Sequence, residues 1–360
     1  MVTKRGAEVV RAPQPAMRVG GCEQRRTFTR VRNGVRSVLA LASLVLVAAQ
    51  CRGDTAPTAP IDVDVDALWN KYGWTKPTSA AEIVSASTAA FGVYVATTRT
   101  PAASIQVLAQ TGVDTVLISW IDRGANLVAR AFSYPPSTRP FVDLVAIDSA
   151  YLVNTYRAQG FSANEVSGLL TAFKAGAPAF GGRQSNTWNY RTILTNNLMV
   201  NDRIGMAQTA GHEFFHSIQE RSANTNPCQV GSAVPCWFWE GPAMFIGLQT
   251  ASHFGFADFA SQGHPQMISR FQNGPLTTRS LLLSGVTLNN GTTLDPYAIG
   301  EVATEFLVAN VGVAKFVAIY SEIGTGKSLA AAFMTATGVE LADFYSMFEQ
   351  IRGVLGVPRA

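Results

Sequence analysis

The sequence predicts an α+β fold: a mostly antiparallel sheet near the start of the mature chain, followed by a mainly helical half. Three observations lead there. Between Ala89 and Ile147 the apolar residues recur with a period nearer two than 3.6. From Ser149 onward the period is helical. Within that second half, TAGHEFFHSIQE (209–220) sets two of the chain's four histidines four residues apart on one helix, with a glutamate between them.

Taken in order, residues 1–50 read as an export signal. A basic stretch ends at Arg36, and SVLALASLVLVAAQC follows. That apolar run suits a signal-peptide core and is too short for a membrane span of roughly 20 residues. QRRTFTR (24–30) is similar to a twin-arginine signal. VAAQC resembles a lipobox ending at Cys51, with Gln50 where a small residue is usual. Plain secretion and a lipid tether on Cys51 stay equally open, and either places the protein outside the cytoplasm. Residues 51–65, rich in Pro and Asp, read as a flexible tether.

Residues 66–148 read as the β-rich part. FGVYVATT, SIQVLAQ, DTVLISWID, NLVARAFSY and FVDLVAID are short, β-branched or aromatic runs separated by Gly, Pro, Asp and Asn. Residues 149–360 read as mainly helical, through AYLVNTYRAQ, ANEVSGLLTAFKA, the histidine helix and several more. VTLNNGTTL (286–294) suggests a hairpin on its Asn-Gly turn. EFLVANVGVAKFVAIY is cut by Lys315 and reads as a helix pair. GTGKS (324–328) fails the phosphate-loop spacing, because Ser321 stands where the first glycine belongs, so it reads as a turn.

Composition narrows the function. At 47% hydrophobic and 14% charged the chain can build a large core. The net charge of +4 comes from ten Lys and Arg in the first 52 residues, and the remainder is mildly acidic. No nucleic-acid footprint remains. The sequence leaves the oligomeric state open.

The chemistry concentrates on the histidine helix. Asp202 is a suitable N-cap. Ile204, Ala207, Gly211, Phe214 and Ile218 form an apolar stripe, and Gly211 and Ala210 leave room for close packing. His212 and His216 lie one turn apart on a neighbouring face, within reach of one ion. Glu213, offset by one residue, is not placed as a ligand. A third ligand is available in PCWFWEGPAMF (235–245). Glu240 follows His216 by 24 residues, far enough for the chain to turn and return. Pro242 is tolerated in the first helical turn. That puts Glu240 at a helix start behind a wall of Trp237, Phe238 and Trp239.

HEFFHSIQ followed by WFWEGPAMF resembles the gluzincin metallopeptidases, especially the peptidase-MA-like metalloproteases of bacterial extracellular proteins. The likeness covers about 190–351. It implies a zincin-like helical region, Zn2+ bound by His212, His216 and Glu240, and Glu213 as catalytic base. It implies hydrolysis of peptide or protein substrates by metal-activated water. The chain departs from the thermolysin-type pattern at Met244, where an acidic residue orients a ligand histidine. Tyr297, His253 and His264 are candidates for a transition-state stabiliser, and no spacing singles one out. Cys228 and Cys236, in a loop of an exported chain, read as a disulfide. The competing reading is a non-catalytic surface or secreted binding protein that keeps the same fold.

Overall fold

Side-chain caps set where the first helices begin. The computed structural model describes residues 64–97, 105–132, 141–174, 179–183, 190–195, 203–224, 234–273, 282–285 and 296–357. All of them belong to one compact unit, Ala56–Ala360. In α1 (Val65–Tyr72) the Asp64 carboxylate accepts from the Ala67 amide. In α2 (Ala80–Ala96) the Ser79 hydroxyl accepts from the Glu82 amide, and the Glu82 carboxylate in turn accepts from Thr78. In α3 (Thr115–Ala131) Asp114 accepts from the Val116 amide. Leu117, Ile121, Ala125 and Val128 then give α3 a buried stripe at helical spacing.

These helices overturn the expected N-terminal sheet. FGVYVATT lies largely in α2, and DTVLISWID and NLVARAFSY lie largely in α3. Only SIQVLAQ and FVDLVAID supply strands, β1 (Ile105–Ala109) and β2 (Phe141–Ala146). β-Branched residues mimicked alternation, while the caps at Ser79 and Asp114 and the burial available to a helix decided the outcome. The described residues of 66–148 are therefore mostly helical.

The sheet that does form is small and mixed, in the order β1-β2-β4-β3, with β3 at Ala179–Arg183 and β4 at Tyr190–Thr195. β1 runs parallel to β2, and β2 parallel to β4; only β3 and β4 pair antiparallel. All six residues of β2 are buried, the pattern of a central parallel strand covered on both faces. α3 packs on it, and so does α4 (Ser149–Ala158), which α5 (Ala163–Lys174) follows.

The core lies in the helical half. α6 (Arg203–Ala223) and α7 (Trp237–His253) pack together, and both pack on α9 (Pro296–Gly324). Between them in sequence come a π-turn at Phe259–Gly263 and α8 (His264–Asn273); α10 (Leu329–Thr337) and α11 (Leu341–Ile351) follow. α9 breaks at Gly312, which adopts φ 77° and ψ 162°. It is long and apolar enough to cross a membrane, yet more than half of that apolar stretch is buried inside the protein. α1 is pinned to α11 where Lys71 and the Tyr72 hydroxyl both donate to Asp343.

Glycines bring the central helices into near-contact. A Cβ on Gly211 would lie 2.9 Å from the Thr250 hydroxyl, and one on Gly247 would lie 2.4 Å from the Gln208 carbonyl, so α6 and α7 touch backbone to backbone. α7 and α9 cross even more closely: a Cβ on Gly241 would lie 2.1 Å from the carbonyl carbon of Gly300. The room foreseen beside Gly211 is thus filled by α7. Of the expected apolar stripe, Ala207, Gly211, Phe214 and Ile218 are buried but Ile204 is exposed at the helix start. The export segment, the tether up to residue 63, Asp202, Cys51, Cys228 and the hairpin at 286–294 lie outside the described residues, while Asp64 and Val65, the expected end of the tether, cap and open α1.

Candidate metal centre

The α6–α7 contact decides what the histidines face. His212 and His216 are buried one turn apart on α6, and the antiparallel α7 brings Glu240 in its first turn against them. His216 Nε2 lies 3.0 Å from His212 Nε2; Glu240 Oε2 lies 3.2 Å from the first and 3.4 Å from the second. A point about 2 Å from all three atoms lies just off their plane, and that is the reach of zinc for imidazole and carboxylate. The three residues form a buried group positioned to hold a metal ion. His212 Nδ1 has no hydrogen-bond partner among the described residues.

Each ligand side chain is held by its surroundings. The Trp239 ring stacks on His216, centroids 5.2 Å apart and 13° from parallel. On the far side of His216, Nδ1 meets Gln219 Oε1 at 2.7 Å. Gln219 Nε2 donates to the Trp239 carbonyl at 2.9 Å and to the Tyr320 hydroxyl at 2.8 Å. A carbonyl only accepts, so the amide's oxygen must face His216, and Nδ1 must carry the proton. In the neutral ring the Nε2 lone pair then points at Glu240 and His212.

Pro242 belongs to this chain of contacts. α7 begins at Trp237, so Trp237, Phe238 and Trp239 form its first turn rather than a wall before it, and Pro242 lies inside the helix. A proline has no N–H to offer the carbonyl four residues back, which here is Phe238. That carbonyl accepts instead from the Tyr320 hydroxyl at 2.7 Å. The interior proline thus frees the acceptor that orients Tyr320, and Tyr320 orients Gln219. Met244 takes no part in orienting a histidine. Its sulfur accepts from Gln208 at 2.9 Å, and a neutral amide network at Gln219 does the work expected of an acidic residue.

Charge at the centre follows burial and mutual attraction. Burial pushes the Glu240 carboxyl up, but His216 and His212 outweigh it and hold the group well below the usual range. Burial pushes His216 down, yet the carboxylates of Glu240 and Glu213 raise it to about 9. Glu213, buried beside both histidines, is pushed up chiefly by desolvation.

Of the three stabiliser candidates, the structure brings one to the centre. The Tyr297 ring, at the start of α9, lies 5.8 Å from His212 and 23° from parallel. Burial, followed by the carboxylates of Glu240 and Glu213, pushes its hydroxyl up, while the guanidinium of Arg270 opposes them. Arg270 sits over the Tyr297 ring, 4.9 Å from its centroid. His253 is exposed at the end of α7, packed edge-on to Phe254. His264 belongs to a different buried group, with Glu301 and Glu305 of α9. Cys236 is disulfide-bonded, while the expected partner Cys228 falls outside the described residues.

Comparison with protein-family models, curated proteins and solved structures finds no match for this chain. Sequence reading missed the roles of Gln219, Pro242 and Tyr320. The only signal for them was the position of Gln219, three residues after His216 and hence on the ligand side of the helix.

Proposed function

We propose that the protein is an extracytoplasmic zinc metallopeptidase of gluzincin type, acting on peptide or protein substrates. The single observation that carries this reading is the convergence of His212, His216 and Glu240 with Glu213 buried beside them. The similarity of HEFFHSIQ and WFWEGPAMF to gluzincins supports it, and so does the export-type N-terminus. His212, His216 and Glu240 would hold the ion, and the donor set of two imidazoles and one carboxylate suits zinc. When bound, zinc supplies Lewis-acid polarisation of a carbonyl and acidification of water.

The chain's own groups supply the rest. Glu213 is not one of the three converging residues, and burial raises its carboxyl, which makes it a better proton acceptor near neutral pH. It takes a proton from the attacking water and returns it to the leaving amine. Tyr297, kept protonated by burial and by the carboxylates around it, donates a hydrogen bond to the oxygen where negative charge develops. The apolar surroundings of Trp239 and Phe238 exclude bulk water from the ligands.

The decisive comparison is Glu213→Gln against His216→Ala, with an unfolded casein-like protein as first substrate. Glu213→Gln should keep the ion and lose hydrolysis by about 10²–10⁴-fold, the usual worth of general-base catalysis. His216→Ala should lose both together. Wild-type rates in Glu213→Gln defeat the mechanism. A wild type that holds zinc and cleaves nothing across a broad peptide library favours the non-catalytic binding reading.

A further inference from the structure

A second buried group lies along the seam between α8 and α9. Glu301 and Glu305 are one turn apart on α9, and both are fully buried. His264, the first residue of α8, reaches them: its Nδ1 lies 2.8 Å from Glu305 Oε2 and 2.9 Å from Oε1. One donor atom from each of the three residues falls within 4.8 Å of the other two. Neither oxygen of Glu301 has a hydrogen-bond partner among the described residues. A buried carboxyl with two idle oxygens is costly, by about 1–3 kcal/mol for a neutral group and more for a charged one.

The charges do not balance within the protein. Among the described residues no lysine or arginine offsets either carboxyl; burial and then Glu305 push Glu301 up, opposed there by His264, and burial pushes Glu305 up against a hydrogen bond with Glu301. A neutral imidazole is the form that coordinates metal. Two carboxylates and a neutral imidazole carry a charge of −2 when deprotonated. One divalent cation cancels it and gives both idle oxygens of Glu301 a partner.

We infer that His264, Glu301 and Glu305 form a second metal site, built for a divalent ion of the zinc, manganese or iron group. The imidazole argues against calcium and magnesium, which favour all-oxygen sets. The seam gives the site a role. Tyr297 lies one turn before Glu301 on α9, and Arg270 of α8 lies over it. An ion clamping α8 to α9 at His264 therefore braces the same two helices that hold Tyr297 beside His212. The π-turn at Phe259–Gly263 delivers His264 to this position. It closes tightly, since a Cβ on Gly263 would lie 2.8 Å from the Phe259 ring.

The competing arrangement is a proton shared between Glu301 and Glu305, with no ion. Zinc stoichiometry separates the two. The full chain is loaded with zinc, dialysed free of excess and measured by elemental mass spectrometry. Wild type should retain two ions, and the double variant Glu301→Gln with Glu305→Gln should retain one. His216→Ala should also retain one, and all three substitutions together none. The zinc-dependent rise in Tm should shrink in the double variant. If that variant lacks a cooperative unfolding transition, His264→Ala replaces it, with the same loss of one ion expected. An unchanged zinc count in the folded double variant, or in folded His264→Ala, overturns the inference in favour of the shared proton. A wild-type count of one that survives His216→Ala and vanishes in the double variant upholds this site while defeating the first.

Discussion

Gln219 does the orienting work that an acidic residue at the position of Met244 would do, and it does so without charge. Its amide fixes the His216 proton on Nδ1 and is itself fixed by the Trp239 carbonyl and Tyr320. Outer partners of this kind are worth 10–100-fold in metal affinity. Gln219→Leu should therefore weaken zinc binding about 10–100-fold, measured by competition with a chromogenic chelator. Circular dichroism should stay native, because Tyr320 keeps its bond to the Phe238 carbonyl. Tyr297→Phe should lower kcat while KM changes little, as expected for a group that donates only as charge develops. A raised KM with kcat unchanged would assign Tyr297 to substrate binding instead. At this scale the ligands were legible: an i, i+4 histidine pair and a glutamate behind aromatics are residue types at fixed spacing. The amide network was not, because glutamine has no signature beyond position. Glu301 and Glu305 were hidden too, inside a stretch whose apolar character dominates its reading.

Among the elements, glycines fix the helix crossings in two physically distinct ways, and substitution should tell them apart. Gly300 has no space: a Cβ there would lie 2.4 Å from the Trp237 carbonyl and 2.9 Å from the Gly241 Cα, both backbone atoms. Gly300→Ala must separate α7 from α9, and should lower the unfolding free energy by about 3 kcal/mol, the upper end for overpacking. Gly312 has space on every side but a left-handed φ of 77°. Gly312→Ala should cost only about 1–2 kcal/mol of backbone strain. Urea titration of both variants checks the order. The same scale shows why the sheet was misread. A run such as DTVLISWID carries alternation and a helical stripe at once, and periodicity over nine residues cannot separate them. Asp114 could have, as an N-cap, and so could the full seventeen-residue length of α3. FVDLVAID, by contrast, was recognisable as a strand, but its unbroken burial marks a central parallel strand and not an antiparallel edge.

For the molecule as a whole, the described residues are organised around α6, α7 and α9, with β3 and β4 of the small sheet packed on α6. The disulfide at Cys236 holds the start of the helix that carries Glu240. Non-reducing peptide mapping of exported protein should pair it with Cys228. For so short a loop, reduction should then lower stability by about 2–3 kcal/mol, seen as a lower Tm with dithiothreitol. The sheet topology was the least legible part of the sequence, because parallel pairing depends on contacts far apart in the chain.

The crossing of Gly241 on Gly300 has one more consequence. Glu240 and Glu301 are the immediate neighbours of these two glycines, so each proposed site has a carboxylate anchored one residue from the same point of contact. With no side chain between the backbones, nothing there can change rotamer to absorb motion. The two sites should then share one clock: amide exchange around 239–242 and 299–302 should slow together when either ion binds, and quicken together when either is removed.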